Sequence, residues 1–252
     1  MIFITGDTHG RYKGRFNTEV LPEQNQMTKD DYVIVCGDFT LIGCAEETRE
    51  EKYWCDWFES RSYTLLFIDG NHEHHLRLAG FPVKEWHGGK VHEIRPHVLH
   101  LMRGQVFELQ GKTFFTFGGG QSHDLKDGIL DPSDPDYKQK KRELRREFDP
   151  QYRIKGVSWF EEEMPTEEEL AEGLDNLARH NNTVDYIVTH CCCTSTQALV
   201  GDPSTRANYL TDYFENIHNT VDYKKWFFGH YHKEIDVNDR EFLLERRLIR
   251  IV

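Results

Sequence analysis

The chain has 252 residues, 38% of them hydrophobic and 13% aromatic, so it can bury one sizeable core as a single α/β domain over residues 1–252. Its formal net charge of −12 argues against an extensive nucleic-acid surface or an anionic membrane surface as a partner, because both need clustered lysine and arginine. No apolar run is long enough to span a bilayer and the first residues lack a basic leader, so we expect a cytoplasmic protein with no membrane partner.

Short apolar runs rich in β-branched and aromatic residues predict buried strands. In chain order they are residues 2–5, 32–36, 64–68, 112–117, 185–189 and 225–229, followed by EFLLE and LIRIV near the end of the chain. Most are apolar on both faces, which predicts a sheet covered on both sides. HVLHLM and QVFELQ, on either side of Gly104, are predicted to be neighbouring strands joined by a tight turn, and Gln110-Gly111 predicts another turn before KTFFTF.

Helical signals lie between the strands. They occur in residues 46–60, 166–180 and 205–218. The second is the clearest, because Thr166 can cap the helix with Glu169 three residues later. Leu170, Leu174 and Leu177 then form one predicted apolar stripe.

Residues 121–157 interrupt this pattern with few large apolar residues, several prolines and alternating charge, and they predict a polar excursion with a short helix near 138–148. Such a segment is either a solvated surface insertion or a loop that contacts substrate. In the second case His123, Asp124 and Arg153 are the candidate substrate contacts, since the first two begin the excursion and a guanidinium suits phosphate.

Polar residues follow five of the predicted strands. They are Asp7 and His9, Asp38, Asn71 and His72, His190, and His230 and His232. In open α/β sheets ligands bind at the carboxyl ends of the strands, so these side chains are predicted to converge. Mixed nitrogen and oxygen donors suit zinc, manganese or iron. Seven donors are too many for one tetrahedral ion and suit two ions that share a carboxylate.

The blocks GDTHG, GDF, GNHE, TH and GHYH, in this order from residue 6 to residue 232, resemble the calcineurin-like metallophosphoesterase superfamily. The resemblance implies a four-layer α/β/β/α sandwich with two mixed β-sheets and two divalent ions, manganese first, with iron, zinc or nickel as alternatives. By the same resemblance, Asp7, His9 and His232 hold one ion, Asn71, His190 and His230 hold the other, and Asp38 bridges them.

The chemistry that the resemblance implies is phosphoester hydrolysis, in which a metal-bridging hydroxide attacks phosphorus and His72 protonates the leaving group. The alternative for His72 is a supporting role beside Asn71. We expect a small phosphodiester or nucleotide as substrate. The alternatives are a phosphomonoesterase or serine/threonine protein phosphatase, and a non-catalytic metal-binding scaffold. GDF lacks the Asp-Arg-Gly continuation that is usual in serine/threonine protein phosphatases, which disfavours a protein phosphatase. GGGQSHD and SWFEEEMPTEEE are similar to bacterial and phage members of loosely defined substrate, and the oligomeric state stays open.

THCCCT, residues 189–194, sets three cysteines beside His190. Structural zinc sites usually space their cysteines by two to four residues, so a zinc-ribbon module is disfavoured. We expect Cys191–Cys193 to pack beneath the site, with a redox-sensitive thiol as the alternative. Gly118–Gly120 predicts a tight turn, because no Lys-Ser/Thr follows to make a P-loop. Eight further histidines are predicted to be ordinary hydrogen-bonding residues: His74, His75, His87, His92, His97, His100, His180 and His218.

Overall fold

The structure is a computed structural model and describes residues 1–201 and 205–252. The strands in this part of the chain are β1 (Ile2–Thr5), β2 (Tyr32–Val35), β3 (Thr64–Phe67), β4 (Val83–Trp86), β5 (Gly89–Arg95), β6 (Val98–Leu101), β7 (Gln105–Leu109), β8 (Lys112–Phe117), β9 (Ile129–Leu130), β10 (Arg153–Ile154), β11 (Thr183–Thr189), β12 (Asp222–Phe228), β13 (Ile235–Asp236), β14 (Glu241–Leu243) and β15 (Leu248–Arg250). The α-helices are α1 (Arg49–Glu59), α2 (His75–Leu78), α3 (Tyr137–Leu144), α4 (Glu167–Arg179), α5 (Thr194–Val200) and α6 (Tyr209–Thr220). Short 3₁₀ turns cover Pro22–Asn25 and Glu161–Glu163.

Two mixed sheets form the centre of the fold. The first has the order β15-β1-β2-β3-β6-β5-β4, in which β1, β2, β3 and β6 run parallel. The second has the order β13-β14-β12-β11-β8-β7, in which β14, β12, β11 and β8 run parallel. The parallel strands of each sheet end at one edge, and the loops that follow them carry the site described below.

Side-chain alternation along the strands builds the layers. In β1, Ile4 belongs to a core between the two sheets that it shares with Val188 of β11. Phe3 points the other way, into a second core that includes Phe58 of α1. A third core lies on the outer face of the second sheet, where Phe214 of α6 is fully buried. The predicted α/β fold, with helices outside two mixed sheets, is therefore confirmed.

One predicted pairing is wrong. HVLHLM and QVFELQ do form β6 and β7, but β6 lies in the first sheet and β7 in the second. The chain crosses between the sheets at Gly104, which has a left-handed φ of 72° and lies so close to Gly173 of α4 that a Cβ on it would sit 2.8 Å from the Gly173 Cα. The turn at Gln110-Gly111 does join β7 and β8 as an antiparallel hairpin, as predicted.

In α4 the predicted N-terminal cap is correct, but the predicted apolar stripe is only partly buried. Thr166 and Glu169 form the capping box of α4. Leu177 is buried, but Leu174 is 39% exposed, and Gly173 takes its place on the packed face. This difference arises because the helix approaches the crossing between the sheets too closely for a leucine.

The predicted helix at 205–218 begins only at Tyr209, after its Asn208 cap, and α5 precedes it without having been predicted. The short helix predicted near 138–148 is α3, which has no buried residue. The pairing of β9 with β10 ties the two ends of the excursion together. In the described residues, no helix is both long enough and apolar enough to cross a membrane.

Candidate metal centre

Four residues of the site have a backbone conformation that few non-glycine residues adopt. His9, Asp38, His230 and His232 have φ values of 46°, 46°, 72° and 50°, in the left-handed region that disfavours side chains. All four are predicted metal ligands. Strain of this kind clusters at functional sites, where the surrounding structure holds it in place.

Three glycines next to the candidate ligands allow them to approach one another. A Cβ at Gly37 would lie 2.3 Å from His190 Nδ1, and one at Gly229 would lie 1.9 Å from Asp7 Oδ1. A Cβ at Gly70 would lie 2.2 Å from the nearer Asp38 oxygen. No larger residue fits at these positions without displacing a polar side chain.

The first group of donors consists of Asp7, His9, Asp38 and His232, whose ligand atoms all lie within 4.8 Å of one another. His9 Nε2 lies 2.9 Å from His232 Nε2, and His232 Nε2 lies 3.6 Å from Asp7 Oδ2. The backbone N–H of His230 donates to both oxygens of Asp7, at 3.1 and 3.0 Å, and so fixes the orientation of the carboxylate.

The second group consists of Asn71, His190 and His230. Asn71 Oδ1 lies 3.2 Å from His190 Nε2 and 3.1 Å from His230 Nδ1, and these two ring nitrogens are 3.2 Å apart. His190 Nδ1 donates to the carbonyl oxygen of Cys36 at 2.8 Å, which turns Nε2 toward the other donors. Three ligand atoms therefore face one point.

Asp38 lies between the two groups and is buried. Its Oδ2 is 3.8 Å from His9 Nε2, and its Oδ1 is 3.5 Å from His190 Nε2. The backbone N–H of His72 donates to Oδ1 at 2.9 Å. One oxygen of Asp38 thus faces each group of donors.

The electrostatics of the centre favour added positive charge. Burial raises the pKa of Asp7 to about 7, and the charge of Asp38 adds to this effect. Burial alone would lower the pKa of His190, but the Asp38 and Asp7 carboxylates raise it to about 10. Two buried carboxylates beside imidazole nitrogens and an amide oxygen are a donor set that fits divalent manganese, iron or zinc, and a bound cation would take the place of the proton that the carboxylates otherwise hold on His190.

A supporting chain orients Asn71, and the sequence did not reveal it. Asn71 Nδ2 donates to Ser122 Oγ at 3.2 Å, and that hydroxyl donates to Glu163 Oε2 at 2.7 Å. The amide nitrogen is occupied, so the amide oxygen faces His190 and His230. Burial raises the pKa of Glu163 to about 7.

Arg15 and Glu73 hold the loops of the site. Arg15 donates from Nη1 to the carbonyl oxygen of Asp7 at 2.7 Å. Glu73 accepts from the backbone N–H of Gly70 at 2.7 Å and from that of Thr40 at 3.0 Å. The only sequence signal for Glu73 was its place in GNHE, and none marked Arg15, because a residue that binds backbone has no characteristic spacing.

His72 lies at the mouth of the centre, beside the first group of donors. Its ring is 4.9 Å from the His9 ring, and its Nε2 is 3.8 Å from Asp38 Oδ2. Arg153 Nη2 lies 3.1 Å from the same Nε2. Burial lowers the pKa of His72, and the positive charge of Arg153 lowers it further.

The polar excursion reaches the centre through the three candidate substrate contacts. Arg153 in β10 pairs with Asp124, with Nε donating to Oδ1 at 3.0 Å, and the pair lies over His72. The His123 ring is 4.9 Å from the His230 ring, and its Nδ1 is buried without a hydrogen-bond partner. His123 and Asp124 line a cavity of about 660 Å³ whose walls also include Asp38, His72 and His232.

The three cysteines of THCCCT are buried, as predicted. Cys191 Sγ lies 3.8 Å from the Gly119 carbonyl oxygen, and Cys192 Sγ lies 3.5 Å from the Tyr231 hydroxyl. Burial raises the pKa of Cys191 to about 12, which is opposite to the lowered pKa that a redox-sensitive thiol needs. All six cysteines are free of disulfides.

A family model described as calcineurin-like phosphoesterase matches residues 1–234. Among solved structures, the chain is similar to the crystal structure of a phosphopantetheinyl hydrolase from Mycobacterium tuberculosis, with 16% sequence identity and a TM-score of 0.45. That match covers 97% of this chain and 87% of the other. No curated protein matches the chain.

Proposed function

The chain belongs to the calcineurin-like phosphoesterase family, and from this premise we propose that its Asp/His centre holds two divalent metal ions and hydrolyses a small phosphodiester. The observation that carries the proposal is the position of Asp38, whose two oxygens face two separate groups of donors. A centre for one ion would need no such division. We assign Asp38 as the bridging ligand.

The remaining ligands divide between the two groups. Asp7, His9 and His232 would hold one ion, and Asn71, His190 and His230 the other. The ring nitrogens within each group approach to 2.9 and 3.2 Å, distances that suit lone pairs directed at a shared cation. Manganese is our first choice of metal, because carboxylate, amide and imidazole donors together suit it without a thiolate.

The metal ions, when bound, would activate a water molecule and stabilise the charge on phosphorus oxygens. The residues of the chain supply the rest. His72 donates a proton to the leaving alkoxide, since its ring lines the cavity and its Nε2 lies 3.8 Å from Asp38 Oδ2. Arg153 lies 3.1 Å from His72 Nε2 and can donate to the same phosphate. A bound phosphate would also offset the positive field of Arg153, which lowers the pKa of His72.

The shape of the site supports a substrate with groups on both sides of phosphorus. A second cavity of about 320 Å³ adjoins the first and shares His123, Lys126 and His230 with it. Arg206 and Asn208 line this second space, so it suits a polar or anionic substituent. A phosphodiester, a cyclic nucleotide included, has two ester substituents on phosphorus, whereas a phosphomonoester has one.

The first test compares bis(p-nitrophenyl) phosphate with p-nitrophenyl phosphate in the presence of manganese. We expect the diester to be cleaved with the higher kcat/KM. Faster cleavage of the monoester would contradict the diester assignment and make phosphoproteins the next substrates to test. No turnover of either, with two ions bound at the Asp/His centre, would favour a non-catalytic scaffold.

A further inference from the structure

A second cluster of metal-ligating side chains lies apart from the candidate metal centre. It consists of Cys193, His218 and Glu241, whose ligand atoms all lie within 4.8 Å of one another. The cluster shares no residue with the first centre. His218 was predicted to be an ordinary hydrogen-bonding residue, and Cys193 to be a packing residue.

The three residues come from three different elements. Cys193 is the N-terminal cap of α5, His218 lies in the last turn of α6, and Glu241 is the first residue of β14. His218 Nδ1 lies 3.0 Å from Glu241 Oε1. Cys193 Sγ and Glu241 Oε2 both contact the Thr196 hydroxyl, at 3.2 and 3.0 Å.

In the described residues, the buried carboxylate of Glu241 has no permanently charged cation beside it. Glu241 is only 3% exposed, yet within the described residues its one ion-pair partner is His218, which is charged only when it is protonated. Its other neighbours are neutral: the Thr196 and Tyr223 hydroxyls and the Asn238 amide. A buried carboxylate without a permanent cation is costly, and a bound cation would remove that cost.

We propose that Cys193, His218 and Glu241 bind a divalent zinc ion. A thiolate, a neutral imidazole and a carboxylate are three of the ligand types that zinc takes in proteins, and together they balance its charge of two. On binding, the Cys193 thiol gives up its proton to solvent and its sulfur bonds to the ion. His218, whose side chain is 33% exposed, provides the route of entry.

The proposed site would fix the segment that carries His190. Cys193 lies three residues after His190, and α5 begins directly after it. A zinc ion there would join the start of α5 to α6 and to the second sheet. The proposed site does not depend on the reaction at the candidate metal centre.

Cobalt substitution tests the site without an activity measurement. A thiolate bound to Co²⁺ gives an intense charge-transfer absorption in the near ultraviolet, and none of the seven donors of the candidate metal centre is a thiolate. We expect this band when the full chain, stripped of metal, is titrated with Co²⁺. Cys193→Ser should abolish the band, and Cys192→Ser, which changes the adjacent buried thiol, should retain it.

A second variant keeps the test decisive if Cys193→Ser fails to fold. His218→Ala removes a partly exposed side chain, and we expect it to lower the zinc content by about one ion per chain relative to His180→Ala, an exposed histidine outside the cluster. If the wild-type chain shows no thiolate band at saturating cobalt, or if the band survives in Cys193→Ser, the proposal is wrong.

Discussion

His72 is the residue on which the proposed chemistry can be tested most directly. It contributes no predicted metal ligand, so its replacement should leave both ions bound. Its ring is 4.9 Å from the His9 ring, and its backbone N–H holds Asp38 Oδ1 at 2.9 Å, a contact that any side chain at this position keeps. The role of the ring can therefore be separated from that of the backbone.

We predict that His72→Ala lowers kcat about 10²–10⁴-fold for a diester with an alkoxide leaving group, because such a group needs a proton. For a p-nitrophenolate leaving group the loss should be far smaller, since that anion leaves without protonation. Steady-state kinetics on the two substrates, with metal content measured on both proteins, checks this. Equal losses on both substrates would assign His72 a positioning role.

At the scale of single elements, the turn at Glu161–Glu163 offers a pH test. Burial raises the pKa of Glu163 to about 7 in the folded chain, against 4.5 for an ordinary glutamate. The folded state therefore holds this proton more tightly than the unfolded state. The stability that the protonated Glu163 contributes to the folded state is fully present below pH 4.5 and is lost as the pH rises through 7.

We predict that Glu163→Gln has nearly the same Tm as the wild-type chain at about pH 5 and a higher relative Tm at about pH 8, where only the wild-type residue must ionise. Each pKa unit corresponds to about 1.4 kcal/mol. The measurement is thermal unfolding of the metal-free proteins across this range. Glu162→Gln, at an exposed neighbouring position, should show no such trend, and a difference that stays constant with pH would contradict the prediction.

Helix α4 gives a test in which two effects have opposite signs. Glycine in a helix interior is less stable than alanine by about 1 kcal/mol, so Gly173→Ala should stabilise an isolated helix. In the folded chain the added Cβ would lie 2.3 Å from the Tyr213 hydroxyl oxygen and 3.2 Å from the Gly104 Cα. We predict that the clash dominates, with a net loss of about 1–3 kcal/mol.

Chemical denaturation of Gly173→Ala checks this, with Asp175→Ala on the exposed face of the same helix as the control. The control should be neutral or slightly stabilising. A more stable Gly173→Ala would mean that the second sheet and α4 separate easily at this point.

The sequence predicted the elements well and their surroundings less well. The central strands and the Thr166 cap of α4 follow from local composition, which is why they were correct. The seven candidate ligands were found because each follows a strand, and the structure brings them together in two groups. The separation of β6 from β7 depends on which sheet each strand joins, and no local pattern near Gly104 encodes that.

The supporting residues were missed for a similar reason. Ser122 and Glu163 are 41 positions apart and meet only through the fold. The cluster at Cys193, His218 and Glu241 likewise spans three elements. Ser122 and Cys193 each lie in a short motif, but their partners are distant in sequence, and a short motif does not report such a pairing.

At the scale of the whole molecule, the candidate metal centre joins the two sheets. Asp7, Asp38 and Asn71 follow strands of the first sheet, whereas His190 and His230 follow strands of the second. Bound ions would therefore hold the sheets together at one edge. In their absence, the buried carboxylates Asp7 and Asp38 repel each other.

We predict that chelation lowers the Tm of the chain. An ion present at 100 times its Kd stabilises the folded state by about 2.7 kcal/mol, and that contribution is lost on removal. Differential scanning calorimetry before and after chelation measures it, in a His218→Ala background so that the proposed zinc site does not contribute. Asp38→Asn, which removes the charge between the two groups of donors, should respond much less, and an equal response would assign the effect to other sites.

The pairing of β1 with both β2 and β15 has a consequence for how the protein is made. β1 is synthesised long before β15, yet one of its edges pairs with Leu248–Arg250 of that strand. Asp7, just after β1, likewise has no contact with the backbone N–H of His230 or with His232 Nε2 until those residues have been synthesised. While the chain grows on the ribosome, the early strands have an open edge and the early ligands have no partners. The candidate metal centre therefore cannot be complete until residues 230 and 232 have been synthesised, more than 220 positions after Asp7.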